Sequence, residues 1–443
     1  MTQPHRVLIV GGGFGGLYAA LSLKKAPVQV TLLDRRNFHL FQPLLYQVAT
    51  GTLSVGNIAA TLRVTLRHQK NTQVLLGEMT GIDIDRREVV LRDGKLSYDS
   101  LIVASGSEPH YLGHDEWRLS APGLKTVEDA TAMRSRIFRA FEAAERAEDP
   151  RLIEEWTTFV IVGAGPTGVE LAGALAEVAR RTLREDFRTI RPERAKILLV
   201  NSHPRALPEY PSDLSGKAEA GLKRLGVIVR NKCLVTEVKP GGVILRYEEK
   251  EEFISARTVL WAAGVKASPL GRVLSEATGA ELDKQGRVRV EPDLSIPGHP
   301  EIFVIGDLAD ARDPKGGSLP GVATVAIQEG RYVAELIENR LAGLPFPPFR
   351  FRPRGNLATI GRGKAVAEIW GYRFDGVLAW IVWAIVHLFY IIEFEDRMLV
   401  MIQWAWSYLT WNRSDMLITY TRPVFPTTAP LKSDPVPEKA ATS

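Results

Sequence analysis

Apolar positions along this chain fall into two recurring patterns and one that departs from both. The recurring pair is a short run rich in β-branched residues, then a glycine-rich turn, then an Ala/Leu-rich stretch at helical spacing. It occurs at "RVLIVGGGFGGLYAALSL", Arg6 to Leu23, and again at "TFVIVGAGPTGVELAGAL", Thr158 to Leu175. Short apolar runs bounded by glycine predict buried strands, and the Ala/Leu stretches predict helices. Each unit leads into a further apolar run, "VQVTLLD" ending at Asp34 and "AKILLVN" ending at Asn201. Two such strand–turn–helix–strand units predict an α/β chain with two Rossmann-like dinucleotide-binding domains.

Between the units, "TQVLLGEMTGIDID" and "LIVAS" read as strands and Ala130–Ala147 as helix. Beyond the second unit, "GVIVRNKCLVTEVKPGGVILRY" reads as a hairpin. "TVLWAAG" and "IFVIGDLAD" follow as buried strands, and "GVATVAIQEGRYVAELIENRLAG" as a helix. The Pro-rich "LPFPPFRFRP" marks a boundary at Leu344–Pro353. The expected division is 1–115 with 290–350 for the first domain, 116–289 for the second, a C-terminal segment at 351–422 and a disordered Pro/Ser/Thr/Lys-rich tail at 423–443.

The departing pattern is "GVLAWIVWAIVHLFYIIEFEDR", Gly376 to Arg397. Its uncharged core, Val377 to Ile392, is apolar nearly all round. As a helix it would be about 24 Å long, against the ~30 Å of a bilayer's hydrocarbon. "MLVMIQWAWSYLTWNR" follows the charged break "EFEDR", so a helical pair is expected, each member too short to span. Six of the nine Trp gather here: Trp370, Trp380, Trp383, Trp404, Trp406 and Trp411. Trp and Tyr favour the headgroup region, so residues 376–411 are expected to lie in one leaflet as an interfacial anchor to a lipid bilayer surface.

Composition narrows the picture. The 443 residues exceed one ordinary core. Net charge is +5 and no Lys/Arg tract stands out, so nucleic-acid binding has no support. Cys233 is the single cysteine, which excludes an intrachain disulfide and a catalytic cysteine pair. The N-terminus enters a strand pattern at once, without a signal peptide's apolar core. The eight His show no clustered ligand spacing, so no metal site is expected.

Chemistry concentrates at the glycine turns. Gly11, Gly13 and Gly16 stand in G-x-G-x-x-G register, with Phe14 and Gly15 between them. Such a turn lets backbone approach pyrophosphate at a helix N-terminus. Asp34, with Arg35 beside it, ends the next strand where a carboxylate can bind ribose hydroxyls. Ser105–Gly106 and Gly306–Asp307 close two further strands, and Asp307 could accept from a polyol hydroxyl. Together these elements resemble the two-dinucleotide-binding flavoproteins, in which all three contact FAD and the aspartate holds the ribityl chain.

Gly163, Gly165 and Gly168, with Pro166 and Thr167, form the second loop; Gly264 closes "WAAG". A second nucleotide site inserted within the first domain suggests NAD(P)H feeding a flavin. Glu170 is expected on the helix's first turn, where the dipole favours a carboxylate, pointing towards a nicotinamide. Asn201 stands where an NADH-selective site usually has a carboxylate. Without one a 2′-phosphate is not repelled, and Ser202, His203 and Arg205 could meet it. The donor is therefore written NAD(P)H, with NADH favoured and NADPH open.

The acceptor separates the remaining functions. Disulfide and sulfide:quinone reductases need a cysteine pair, which is absent. With its aromatic C-terminal segment, the chain resembles the type II NADH:quinone oxidoreductases over Arg6 to Ile418. The resemblance rests on "GGGFGGLYAAL", "FHLFQPLLYQVATGTLS", "IVGAGPTGVELAGALAE", "VLWAAGV", "IFVIGDLA" and "VATVAIQEGRYVA". It implies glutathione-reductase-like FAD and NAD(P) domains. It implies that Pro43 and Leu44 lie near the flavin, that Ala326, Gln328 and Gly330 line the quinone site beside it, and that Glu170 serves nicotinamide binding and proton handling. Glu170 and Gln328 are the expected catalytic residues. Lys364, in "GRGKAV", could meet headgroups or sit in an ordinary turn. The implied reaction passes a hydride from NADH to FAD and two electrons to a membrane quinone without proton pumping. The implied setting is a homodimer on the cytoplasmic face of the inner (plasma) membrane. A soluble FAD-dependent NAD(P)H:ferredoxin or dye reductase is the alternative, separated by membrane partition. A nucleotide-sensing regulator without turnover is a further one.

Overall fold

A computed structural model describes residues 4–314, 316–413 and 415–419. The expected tail at 423–443 lies outside these residues. A six-stranded sheet is assembled from both ends of the sequence: β1 (His5–Val10), β2 (Val28–Asp34), β3 (Thr72–Leu76), β4 (Ser100–Val103), then β9 (Ser295–Ile296) and β10 (His299–Val304), in the order β9-β10-β4-β1-β2-β3. Val7 pairs with both Val30 and Ser100, in parallel. Val7, Leu8, Ile9 and Val10 are all buried, as strands covered on both faces require.

Inserted in that domain is a second parallel sheet, β5 (Thr158–Val162), β6 (Lys196–Val200), β7 (Val227–Arg230) and β8 (Thr258–Trp261), ordered β7-β6-β5-β8. Helix α1 (Phe14–Ser22) follows β1, α2 (Val127–Glu145) bridges the two domains in sequence, and α3 (Pro166–Glu177) follows β5. Helix α4 (Ala323–Leu341) lies on α1. A Cβ on Gly330 would come 2.2 Å from the Gly15 carbonyl oxygen, so only glycine permits this approach.

Two apolar stretches divide differently from expectation. Only Val227–Arg230 of the expected hairpin joins the parallel sheet; Lys232, at φ 56°, turns the chain into the antiparallel pair Cys233–Lys239 and Gly242–Tyr247. "TQVLLGEMTGIDID" gives β3 and a strand, Met79–Asp83, in a separate antiparallel sheet.

The C-terminal segment opens with a three-stranded antiparallel sheet, β11 (Asn356–Gly361), β12 (Lys364–Ile369) and β13 (Tyr372–Asp375). Lys364 starts a strand. The sheet sits directly on α3: a Cβ on Gly173 would lie 1.8 Å from the Ile360 carbonyl oxygen. Helices α5 (Gly376–Tyr390) and α6 (Phe394–Thr410) follow. Among the described residues no helix is long and apolar enough to cross a membrane. "EFEDR" is no break between the helices. Glu395 and Asp396 occupy the first turn of α6, where the helix dipole favours carboxylates. The true break is at Ile391–Glu393, where the Arg397 guanidinium takes the carbonyls of Ile391 and Ile392.

The tryptophans do not all lie outward, where an interfacial anchor would put them. Ala379 and Trp383 of α5 and Val400 and Trp404 of α6 are buried at a spacing of four. The Trp383 and Trp404 rings lie 5.3 Å apart, and the Trp404 indole N–H donates to Gln47 Oε1 at 2.7 Å. The opposite faces leave Leu378, Ile381, Ile385 and Phe389, and Phe394, Ile402, Trp406 and Leu409, exposed.

Candidate functional site

The first glycine loop leaves β1 at Gly11, whose φ of 109° and close approach to the Ala104 carbonyl admit no side chain. Gly16 packs on the Gly11 carbonyl, where a Cβ would lie 1.9 Å away. Gly13 instead borders open space, and α1 has no side-chain N-cap. Its first backbone N–H groups therefore face that opening unpaired by a cap, the arrangement that receives a phosphate. Asp34 accepts N–H groups from Gly12 at 2.5 Å and Arg36 at 2.6 Å. Burial raises its pKa and these donors pull it down; the net direction is upward. Arg35 points to solvent.

The Phe14 ring meets the His39 and Phe41 rings edge-on at 4.9 and 5.8 Å. Sequence reasoning missed His39. Its Nδ1 lies 2.9 Å from the Gly12 carbonyl oxygen, which can only accept, so the proton sits on Nδ1. Burial lowers its pKa to about 4, and Nε2 is buried without a partner. Leu44 is buried in the core and Pro43 half-buried, both on the segment that also supplies Tyr46 and Gln47.

The opposite wall carries Ser105, 2.6 Å from the Ser268 hydroxyl, and Gly106, which has open space before it. Gly306 turns at φ 71° beneath Ala326, and Asp307 accepts from Ser107 at 2.5 Å and Lys125 at 3.1 Å. Burial works to raise the Asp307 pKa, but Lys125 and Ser107 outweigh it and hold the carboxyl below its usual range. An open glycine lane, an uncapped helix N-terminus and a carboxylate at a strand end are what a dinucleotide needs, so the residues present fit FAD.

Gln328 does not face this opening. Its amide donates to the Arg352 carbonyl and accepts the Arg352 N–H, both at 3.0 Å, which ties down the Pro-rich segment. Its neighbour Glu329 is the buried one, at 1% exposure, and accepts the Gly306 N–H at 2.5 Å. Burial pushes its pKa up to about 8. Helical spacing held the signal: Ala326, Glu329, Gly330 and Val333 share one face.

The second loop repeats the geometry. Gly163 (φ 99°) approaches the Ala262 carbonyl, Gly168 packs on the Gly163 carbonyl, and Gly165 borders open space. Helix α3 also lacks a side-chain cap and starts with Pro166, followed by exposed Thr167. Gly264 turns at φ 75° with open space before it. Asn201 offers nothing outward. Its Nδ2 lies within hydrogen-bond distance of the carbonyls of His203 and Arg205 and of Asn231 Oδ1, and its Oδ1 accepts the His203 N–H. The Arg205 guanidinium donates to the carbonyls of Pro208 and Tyr210, while Ser202 and His203 are exposed.

Glu170 departs from expectation. It lies in the second turn of α3, not the first, and faces away from the loop into a cavity under α5 and α6. Tyr46, Gln47, Glu177, Thr359, Trp383 and Tyr408 line that cavity with it. Burial pushes the Glu170 pKa up to about 8, against a 3.4 Å bond from the Thr359 N–H. Two turns on, Glu177 accepts the Arg362 N–H at 2.5 Å and sits 3.7 Å from Arg413; burial raises its pKa against these cations. Apolar ring walls with acid and amide groups at the edge suit a planar ring bearing carbonyl oxygens.

A family model described as pyridine nucleotide-disulphide oxidoreductase matches residues 5–330. Two type II NADH:quinone oxidoreductases of Mycobacterium tuberculosis, NdhA and Ndh, are each 44% identical over 94% of this chain, which spans 89% and 90% of theirs. The demethylphylloquinone reductase NdbB of Synechocystis is 32% identical over 90% of this chain and 95% of its own. Among solved structures, NDH2 from Plasmodium falciparum in complex with NADH superposes with a TM-score of 0.85 at 20% identity, covering 93% of this chain and 99% of that one. The sulfide:quinone oxidoreductase of Aquifex aeolicus follows at 0.72 and 18% identity, over 89% and 91%.

Proposed function

We propose a path for electrons through this molecule, on the premise that the chain belongs to the type II NADH:quinone oxidoreductases. It is an FAD-dependent, membrane-associated enzyme that oxidises NADH and reduces a quinone. FAD, when bound, accepts the hydride and delivers the electron pair. In this reading, the Gly11–Gly16 loop, Asp34, Ser105–Gly106, Gly306–Asp307 and Ala326 hold FAD, and the Gly163–Gly168 loop with Gly264 holds the nicotinamide nucleotide. NADPH stays a candidate donor, because no carboxylate stands at the end of β6.

The quinone ring enters the cavity beneath α5 and α6. Glu170 and Gln47 meet its polar edge, and Trp383 and Tyr408 wall it. With its pKa near 8, Glu170 holds a proton at neutral pH beside a ring that takes up protons on reduction. The observation that carries this reading is a single helix. Helix α3 starts at the second glycine loop and presents Glu170 to a cavity roofed by the apolar pair.

The exposed apolar stripe of α5 and α6 lies on a bilayer surface in this account, keeping the cavity within reach of a quinone dissolved in lipid. That stripe favours the membrane reading over a soluble ferredoxin or dye reductase. Homodimerisation and the cytoplasmic face of the plasma membrane belong to the same reading. They rest on the family resemblance, and on the need for the nucleotide loops to face the compartment holding NADH. Sedimentation in detergent and protease protection in oriented vesicles check them.

Removing the chain beyond Arg373 would strip Trp383 and Trp404 from the core, so the test uses the full-length protein. Glu170→Gln and Gln47→Ala are expected to lower quinone reduction at least tenfold while NADH:ferricyanide activity stays within about twofold. Equal loss of both activities would place the quinone elsewhere.

A further inference from the structure

Glu329 is a buried acid that the path above does not use. One oxygen, Oε2, accepts the Gly306 N–H. The other has no partner among the described residues, and the side chain lines a cavity with Ser107, Gly306 and Asp307. That cavity's cations are engaged elsewhere: Lys266 with Glu108 and Asp115, and Arg287 with Asp283 and Asp310. Lys125 pairs with Asp307, whose negative charge lies one residue beyond Gly306. A second carboxylate here would be buried, uncompensated and beside a like charge, which favours the uncharged acid. An uncharged carboxyl has one O–H to give, and a buried O–H without an acceptor is costly.

We propose that Glu329 binds FAD as an uncharged acid, taking the Gly306 N–H on one oxygen and donating its own O–H to an oxygen of the flavin or its polyol chain beside Asp307. This rests on the FAD reading of the first loop. It adds a second carboxyl to the site, distinguished from Asp307 by charge state: one accepts as an anion, the other donates as an acid.

The test is FAD rebinding to the full-length, flavin-stripped protein, followed by fluorescence quenching from pH 6.5 to 9.5. Wild-type affinity is expected to hold to about pH 8 and then to fall, approaching tenfold per pH unit. Glu329→Gln keeps both a donor and an acceptor. It should bind within about threefold of wild type at pH 7 and lose the alkaline fall. Asp307, Lys266 and Arg287 face the same cavity in both proteins, and Lys125 pairs with Asp307 in both, so the difference between the two curves isolates Glu329. Glu329→Leu should weaken FAD at least tenfold at pH 7 and shift the flavin absorbance. An alkaline fall of the same size in Glu329→Gln overturns the proposal, as does wild-type affinity in Glu329→Leu. If Glu329→Leu does not fold, the glutamine curve decides alone. Wild-type protein that takes up no FAD at any pH would instead sink the reading beneath it.

Discussion

The two glycine loops are near-duplicates in sequence and in backbone, yet the helices they launch are backed by different things. Helix α1 has Gly330 of α4 pressed on Gly15, an element of its own domain. Helix α3 has Ile360 of the C-terminal sheet pressed on Gly173, with α5 and α6 behind. Each of these contacts also buries an acid with a pKa near 8: Glu329 on α4, which backs the first helix, and Glu170 on α3 itself. The loop has the geometry of a nucleotide site in both cases. On the reading proposed above, what packs on the far side of the helix decides whether the neighbouring chemistry belongs to the cofactor or to the cavity under α5 and α6.

The sharpest way to break that contrast is to undock the backing of one helix. Gly173→Val puts a side chain into the Ile360 carbonyl and should cost about 3 kcal/mol or more, seen as a large fall in Tm and in quinone reduction. If Tm and turnover hold, the C-terminal sheet is not what completes the second site.

Next in size is the lipid face. Replacing Leu378, Ile385, Phe389, Ile402 and Leu409 together by Gln removes exposed apolar surface without touching Trp383 or Trp404. Vesicle flotation should be lost and turnover with a long-tailed quinone should fall at least tenfold, with ferricyanide reduction unchanged. Retained flotation would separate the cavity from the bilayer.

A smaller effect is expected from pH. The Glu170 pKa is raised in the folded state, so the acid's contribution to stability is complete below about 4.5 and is lost as pH rises through about 8. Chemical denaturation should show wild type weakening across that window relative to Glu170→Gln, by ~1 kcal/mol or more. Parallel curves would mean that Glu170 titrates normally. The mildest change is Asn201→Asp, which adds the missing carboxylate to a loop already tied by the amide. NADH preference over NADPH should rise severalfold, at some cost in Tm because the Nδ2 bonds are lost.

Legibility in the sequence tracks the distance between interacting groups. The glycine turns, the buried strands and the apolar pair were readable because their causes are local: φ above zero, close backbone approach, and periodicity over a dozen residues. The local pattern does not separate Gln328 from Glu329, because their partners, Arg352 and Gly306, are each over twenty residues away. Glu170 lies on the second turn rather than the expected first, and its backbone partner, Thr359, lies 189 positions on, beyond the reach of any local pattern. Asn201 read as an open specificity position because its amide's partners are loop carbonyls that only the folded chain gathers.

By itself the sequence determined that two glycine-rich turns exist, that each opens a helix, and that a tryptophan-rich helical pair too short to span a bilayer lies towards the C-terminus. Tertiary structure alone decided which acid each helix buries, and that Trp383 and Trp404 point inward. The physical reason is desolvation. A side chain's charge state and partner follow from what covers it, and here the cover comes from segments far along the chain.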